Sequence, residues 1–167
     1  MARVFVIRNV DGTCAIVRPT PAMFDPQSYD RQQLAIRDLL ALDATKDDVM
    51  AYIAANNIPA GASFREIDDS QLPADRVFRN AWTDDLPTDT VDVDIKKAQA
   101  IKQDTFRALR KPLLEAADIE YLRALEAGDT EAQLAIAAKK QALRDITKIK
   151  LPDDIELLAA FVPKELR

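Results

Sequence analysis

The sequence predicts an α+β protein. A small N-terminal β-hairpin and sheet with two short helices comes first. A long antiparallel α-helical hairpin and a short terminal helix follow. Three observations point to this. The first residues alternate between apolar and polar and are rich in Val, Phe and Ile, the pattern of a half-buried strand. From Ile95 onward the composition turns to Ala, Leu, Lys, Arg, Glu and Gln, all strong helix formers. The charge divides at the same place. Residues 1–94 hold 9 basic and 16 acidic groups, net −7, whereas residues 95–167 hold 14 and 12, net +2. The expected organisation is an α+β domain over 1–83, an acidic linker over 84–94 and a helical part over 95–167.

Each element has a local cause. Ala2–Asn9 reads as a strand and Cys14–Arg18 as its partner. Asp11-Gly12 between them is expected to form a type I′ turn. Pro19, Pro21 and Pro26 keep the next stretch extended or turning. Leu34, Ile36, Leu39 and Leu40 give helical spacing from about Asp30 to Leu42. Thr45 with Asp48 caps a second helix that turns Val49, Met50 and Ile53 inward and ends at Asn56-Asn57 and Pro59. Ser63–Ile67 reads as a third strand and Arg76–Trp82 as a fourth, entered through Leu72-Pro73. Asp92 or Asp94 caps a helix that reaches about Ala127, with Pro112 expected to kink or divide it. Gly128-Asp129 makes the turn. Thr130-Glu131-Ala132-Gln133 fits a capping box for a helix to about Lys150, with Ala135, Ala138, Ala142, Ile146 and Ile149 on one face. Pro152 opens a last helix to about Val162. Gly12, Gly61 and Gly128 all fall at turns.

Composition excludes much chemistry. There is no His, one Cys and three Gly. Without His there is no Ser-His or Cys-His pair and no imidazole ligand for zinc. One Cys makes no intrachain disulfide. Three scattered Gly build neither a Walker loop nor a dinucleotide fingerprint. Arg3 and Arg8 flank only four apolar residues, too few for a signal-peptide core, and no apolar run approaches a membrane span. Synthesis in a reducing cytoplasm is expected. Apolar residues are 48% and charged residues 31% of the chain, enough for a core and a solvated surface.

Several clusters are candidates for function. Asp92-Val93-Asp94-Ile95-Lys96 contains the Asp-x-Lys of metal-dependent nucleases, but it falls where a helix cap is expected. The acidic stretch with Asp84, Asp85, Asp89, Asp92 and Asp94 lacks the Gly and Glu of a calcium loop and reads as a solvated linker around Pro87. Cys14 lies in a strand and reads as a buried apolar residue. Lys96, Lys97, Lys102, Arg107, Arg110 and Lys111 are opposed only by Asp104. This run wraps around a helix, which disfavours nucleic-acid binding. The usual outcome for such a run is a solvated face; the alternative is contact with the acidic stretch of a neighbouring copy. Phe78, Arg79 and Trp82 mark the junction of the two parts, as a core anchor or a partner contact. No metal, cofactor or catalytic residue is expected.

Leu72-Pro73-Ala74-Asp75-Arg76 with Phe78-Arg79-Asn80-Ala81-Trp82 resembles a junction in small proteins encoded among the structural genes of tailed phages and prophages. Asp94-Ile95-Lys96-Lys97-Ala98 and Arg107–Leu114 extend the likeness. Asp118–Leu125, Gly128-Asp129-Thr130 and Lys140–Ile146 are similar to the helical C-terminal part of tail-fibre assembly proteins. The resemblance spans residues 63–150 and contains no catalytic segment. It implies a non-catalytic virion structural protein, tail- or capsid-associated, in contact with other virion proteins and further copies of itself, with no membrane partner. A transient tail or tail-fibre assembly chaperone is the alternative, and a metal-dependent nuclease a distant one.

Overall fold

A computed structural model describes residues 2–37, 39–41, 43–84 and 90–167, with the backbone alone at Ile36. The protein is α+β, with small antiparallel sheets near the N-terminus and a long helical hairpin after them. It divides into two compact units, residues 1–92 and 93–167.

In the first unit, β1 (Arg3–Arg8) lies between β2 (Cys14–Val17) and β3 (Phe64–Asp68), antiparallel to both. The register pairs Val6 with Ile16 on one side and with Arg65 on the other. The β1–β2 turn differs from type I′. The Gly12 amide donates to Asn9 O (3.1 Å) and the Asn9 amide to Thr13 O (2.8 Å), leaving a three-residue loop. Gly12 follows the turn at φ 78°, the left-handed position of such loops.

Helix α1 (Tyr29–Ile36) is capped by Ser28, whose hydroxyl accepts from the Arg31 amide. It stops well short of Leu42, which itself lies outside the described residues. Arg31 explains the early end. It is buried, and its guanidinium donates to the main-chain carbonyls of Leu40 (3.2 Å) and Ala41, which requires the chain to fold back instead of continuing as helix. Helix α2 (Lys46–Asn57) carries the full Thr45/Asp48 capping box. Val49, Met50 and Ile53 pack on Phe5 of β1 and form the core of this unit. A 3₁₀ turn at Pro21–Phe24 has no strong signal in the sequence beyond its leading proline.

The expected strand Arg76–Trp82 is mostly absent. Asp75 Oδ1 accepts from the Val77 amide (2.7 Å), and a 3₁₀ turn over Arg79–Ala81 closes through Ala81 N to Phe78 O (2.7 Å). Only Trp82–Thr83 (β4) is extended, pairing with Asp92–Val93 (β5) where the second unit begins.

The second unit opens with Asp94, whose carboxylate accepts from the amides of Lys96 (2.9 Å) and Lys97 (3.1 Å). Helix α3 (Ile95–Glu126) is not divided at Pro112. Pro112 and Ala108 both lie on the exposed face, where the carbonyl that the ring leaves without a donor is open to solvent. Ala98, Lys102, Phe106, Ala117 and Ala124 form its inward stripe. Helix α4 (Thr130–Asp145) returns alongside it, capped by Asp129 rather than Thr130. Its expected face holds in part: Ile146 is buried and Ala142 and Ile149 are half-buried, while Ala135 and Ala138 face solvent and Leu143 and Ile136 turn inward instead. The last helix, α5 (Ile155–Ala160), is capped by Asp154 and is shorter than Pro152 suggested.

Candidate interaction site

The 3₁₀ turn after Leu72 sorts the junction residues. It turns Val77 and Arg79 outward and buries Phe78 (2% exposed) and Trp82 (5% exposed). Phe78 is a core residue, and Trp82 is largely buried with one edge on the cleft described next. Asp84 is also corrected. It is 3% exposed rather than solvated, and its Oδ1 accepts from Arg65 Nε (2.9 Å) and Nη2 (2.6 Å). A desolvated carboxylate is stable there because the fork of Arg65 reaches it at close range. Asp92 is exposed in β5, whereas Asp85, Asp89 and Pro87 lie outside the described residues.

Beside this turn is a cleft of about 400 Å³. One wall is the edge strand β2, through Cys14, Ala15 and Ile16. The other is Leu72, Trp82 and the polar side chains of Arg76, Arg79 and Asn80, with Arg18 at the end of β2. Arg18 is held by Asp69. Arg76 and Arg79 have no ion pair among the described residues. The indole N–H of Trp82 is buried and has no acceptor among the described residues; a buried donor left unpaired costs about 1–3 kcal/mol. Cys14 lines this cleft and is only half-buried. Burial, reinforced by the charge of Asp84, pushes its thiol up to about 11, so it is not poised as a nucleophile.

The basic run on α3 does not form one surface. Lys102 turns inward, donating from Nζ to Ala159 O (2.7 Å) with its ammonium 5.7 Å from the Phe106 ring, so it is closed to a neighbouring copy. Arg110 donates to Arg144 O (3.0 Å) and caps the end of α4. Arg107 pairs with Asp104 on its own helix. Lys96 is exposed and Lys97 half-buried.

The hairpin instead shows solvent an apolar row. Ile119, Leu122 and Leu125, at three-residue spacing, lie on the face of α3 turned away from its buried stripe, whereas Leu109 and Leu113, one turn apart, lie on the side of that stripe. With Leu134 of α4, each is 40–69% exposed.

Among the described residues no group of three or more His, Cys, Asp or Glu is placed to hold a metal ion. Asp94, the carboxylate of the Asp-x-Lys motif, is taken up as the cap of α3. No helix of the described residues is long and apolar enough to cross a membrane. Sequence reasoning missed Arg18 and Arg76 as site residues. They come together only because β2 and the 72–82 segment, distant in sequence, line one cleft. The chain matches no family model, no curated protein and no solved structure.

Proposed function

We propose that this protein is a non-catalytic structural component of a tailed-phage particle, working through repeated contacts with other virion proteins and with copies of itself. The observation that carries the proposal is the exposed apolar set Ile119, Leu122 and Leu125 on the outward face of α3. Large side chains grouped on one exposed surface mark a protein contact, because scattered single residues would need no explanation but a patch favours aggregation unless covered. The resemblance of residues 63–150 to phage structural-region and tail-fibre assembly proteins supplies the setting.

The test is a quantitative mass-spectrometric inventory of purified particles from a phage encoding the chain. A structural component is present in several copies per particle. A chain found with assembly intermediates and missing from mature particles is instead a chaperone, and one missing from both overturns the proposal.

A further inference from the structure

The geometry points to the β2 cleft as a docking site for an extended acidic segment of a partner protein. The inference deepens the reading above, sharing its premise that the protein acts through protein contacts.

Two independent features argue for this occupant. The first is the open edge. In the order β2-β1-β3, strand β2 is an edge strand, and the one bridge on its outer side among the described residues is Thr13 to Thr83, just before the strand begins. The backbone of Cys14–Val17 beyond that bridge is therefore available for pairing. Exposed edges of this kind accept an added strand, which gains main-chain hydrogen bonds without regard to sequence.

The second is charge. The wall facing that edge carries Arg76 and Arg79, three residues apart, and among the described residues neither is engaged in an ion pair and no carboxylate lines the cleft. The unit bearing them is strongly acidic, so two uncompensated guanidinium groups in one place run against the local balance. Guanidinium forks suit carboxylates bidentately. Ile16, Leu72 and Trp82 supply apolar surface between the charges. The volume, about 400 Å³, lies within the range of ligand pockets. An extended segment alternating Asp or Glu with Val or Ile meets all of these. Its backbone follows β2, its carboxylates reach Arg76 and Arg79, and its apolar side chains cover Ile16 and Trp82.

The chain contains its own reporter, since Trp82 is its sole tryptophan and lines the cleft. The full-length protein is titrated with a synthetic peptide alternating Val with Asp and Glu, and with the same peptide carrying Asn and Gln. Trp82 emission and the backbone amide shifts of residues 14–17 are followed. The acidic peptide is expected to bind about 10-fold or more tightly than the amide peptide, to weaken with added salt, and to shift the β2 amides. The double variant Arg76→Glu, Arg79→Glu, with its fold checked by circular dichroism and thermal unfolding, should abolish this preference. The milder Arg76→Gln, Arg79→Gln serves if charge reversal impairs folding. Equal binding of both peptides, no binding of either, or preferential binding of a single-stranded oligonucleotide overturns the inference. Because the assay needs no particle, its failure leaves the particle inventory standing as a separate result.

Discussion

Arg65 and Asp84 form a two-pronged ion pair in which Nε and Nη2 of the arginine converge on the same carboxylate oxygen at 2.9 and 2.6 Å. The pair ties β3 to the stretch just after β4, where the described part of the acidic segment begins. Asp84 is nearly inaccessible and Arg65 largely so, with side-chain exposures of 4% and 17%. Asp84→Leu leaves a guanidinium in a desolvated place without this partner. Urea unfolding should show a loss of about 3 kcal/mol, as for one member of a buried pair. Replacing both residues, Arg65→Met with Asp84→Leu, should recover most of that loss. If the single variant is as stable as the parent, the pair is not a structural anchor.

Arg31 is the largest of the fully buried side chains, and its acceptors are carbonyls of the loop after α1. Arg31→Ala removes two charge-assisted hydrogen bonds and leaves a cavity. We expect a loss of about 3 kcal/mol. We also expect faster amide exchange at Leu39, whose amide bonds to Leu34 O, and at Ala44, bonded to Ala41 O. Unchanged exchange at those amides would show that the loop holds itself without Arg31.

Acid should destabilise the protein in a defined direction. Asp48 is held below its usual range by the Thr45 hydroxyl and amide, Asp68 by the Ser70 hydroxyl and amide, and Asp145 by Lys148 and Gln141. A carboxylate whose folded pKa is depressed contributes stability that is complete above its unfolded value, about 3.9, and is lost as pH falls through the lower folded value. Thermal midpoints should therefore be steady above that value on account of these groups and fall below it. Asp48→Asn should flatten part of that fall. A midpoint that rises on acidification would contradict the assignment.

The lone thiol offers a further check. With Cys14 pushed up to about 11 by burial, its thiolate is scarce at mildly alkaline pH. Alkylation of the native protein should be slower than that of the urea-unfolded chain by on the order of 100-fold. Native and unfolded rates of similar size would mean that Cys14 is neither desolvated nor shielded.

What was legible in the sequence was local. Thr45 and Asp48, three residues apart, specify the capping box of α2 without reference to the rest of the chain, and Asp94 does the same for α3. The unbroken apolar run Val4–Ile7 marks the central strand, and all four side chains are buried because both faces of β1 are covered. What was not legible depends on partners distant in sequence. The early end of α1 follows from Arg31 reaching across nine residues to Leu40. The burial of Asp84 needs Arg65, and that of Lys102 needs the carbonyl of Ala159, 57 residues away. On α4 the expected face fails only at Ala135 and Ala138, because alanines on several faces leave helical periodicity nearly flat there. The cleft combined both difficulties, since its two walls come from β2 and a turn that propensity alone reads as strand.

The most direct measurement of the central claim is the accessibility of the hairpin row inside the particle. A variant with Leu122→Cys in a Cys14→Ser background would be labelled with a maleimide, first as the isolated protein and then in purified particles. Ready labelling is expected of the free protein, where Leu122 is 58% exposed, and strong protection in the particle. Equal labelling in both states would contradict the claim, as would particles that contain none of the protein.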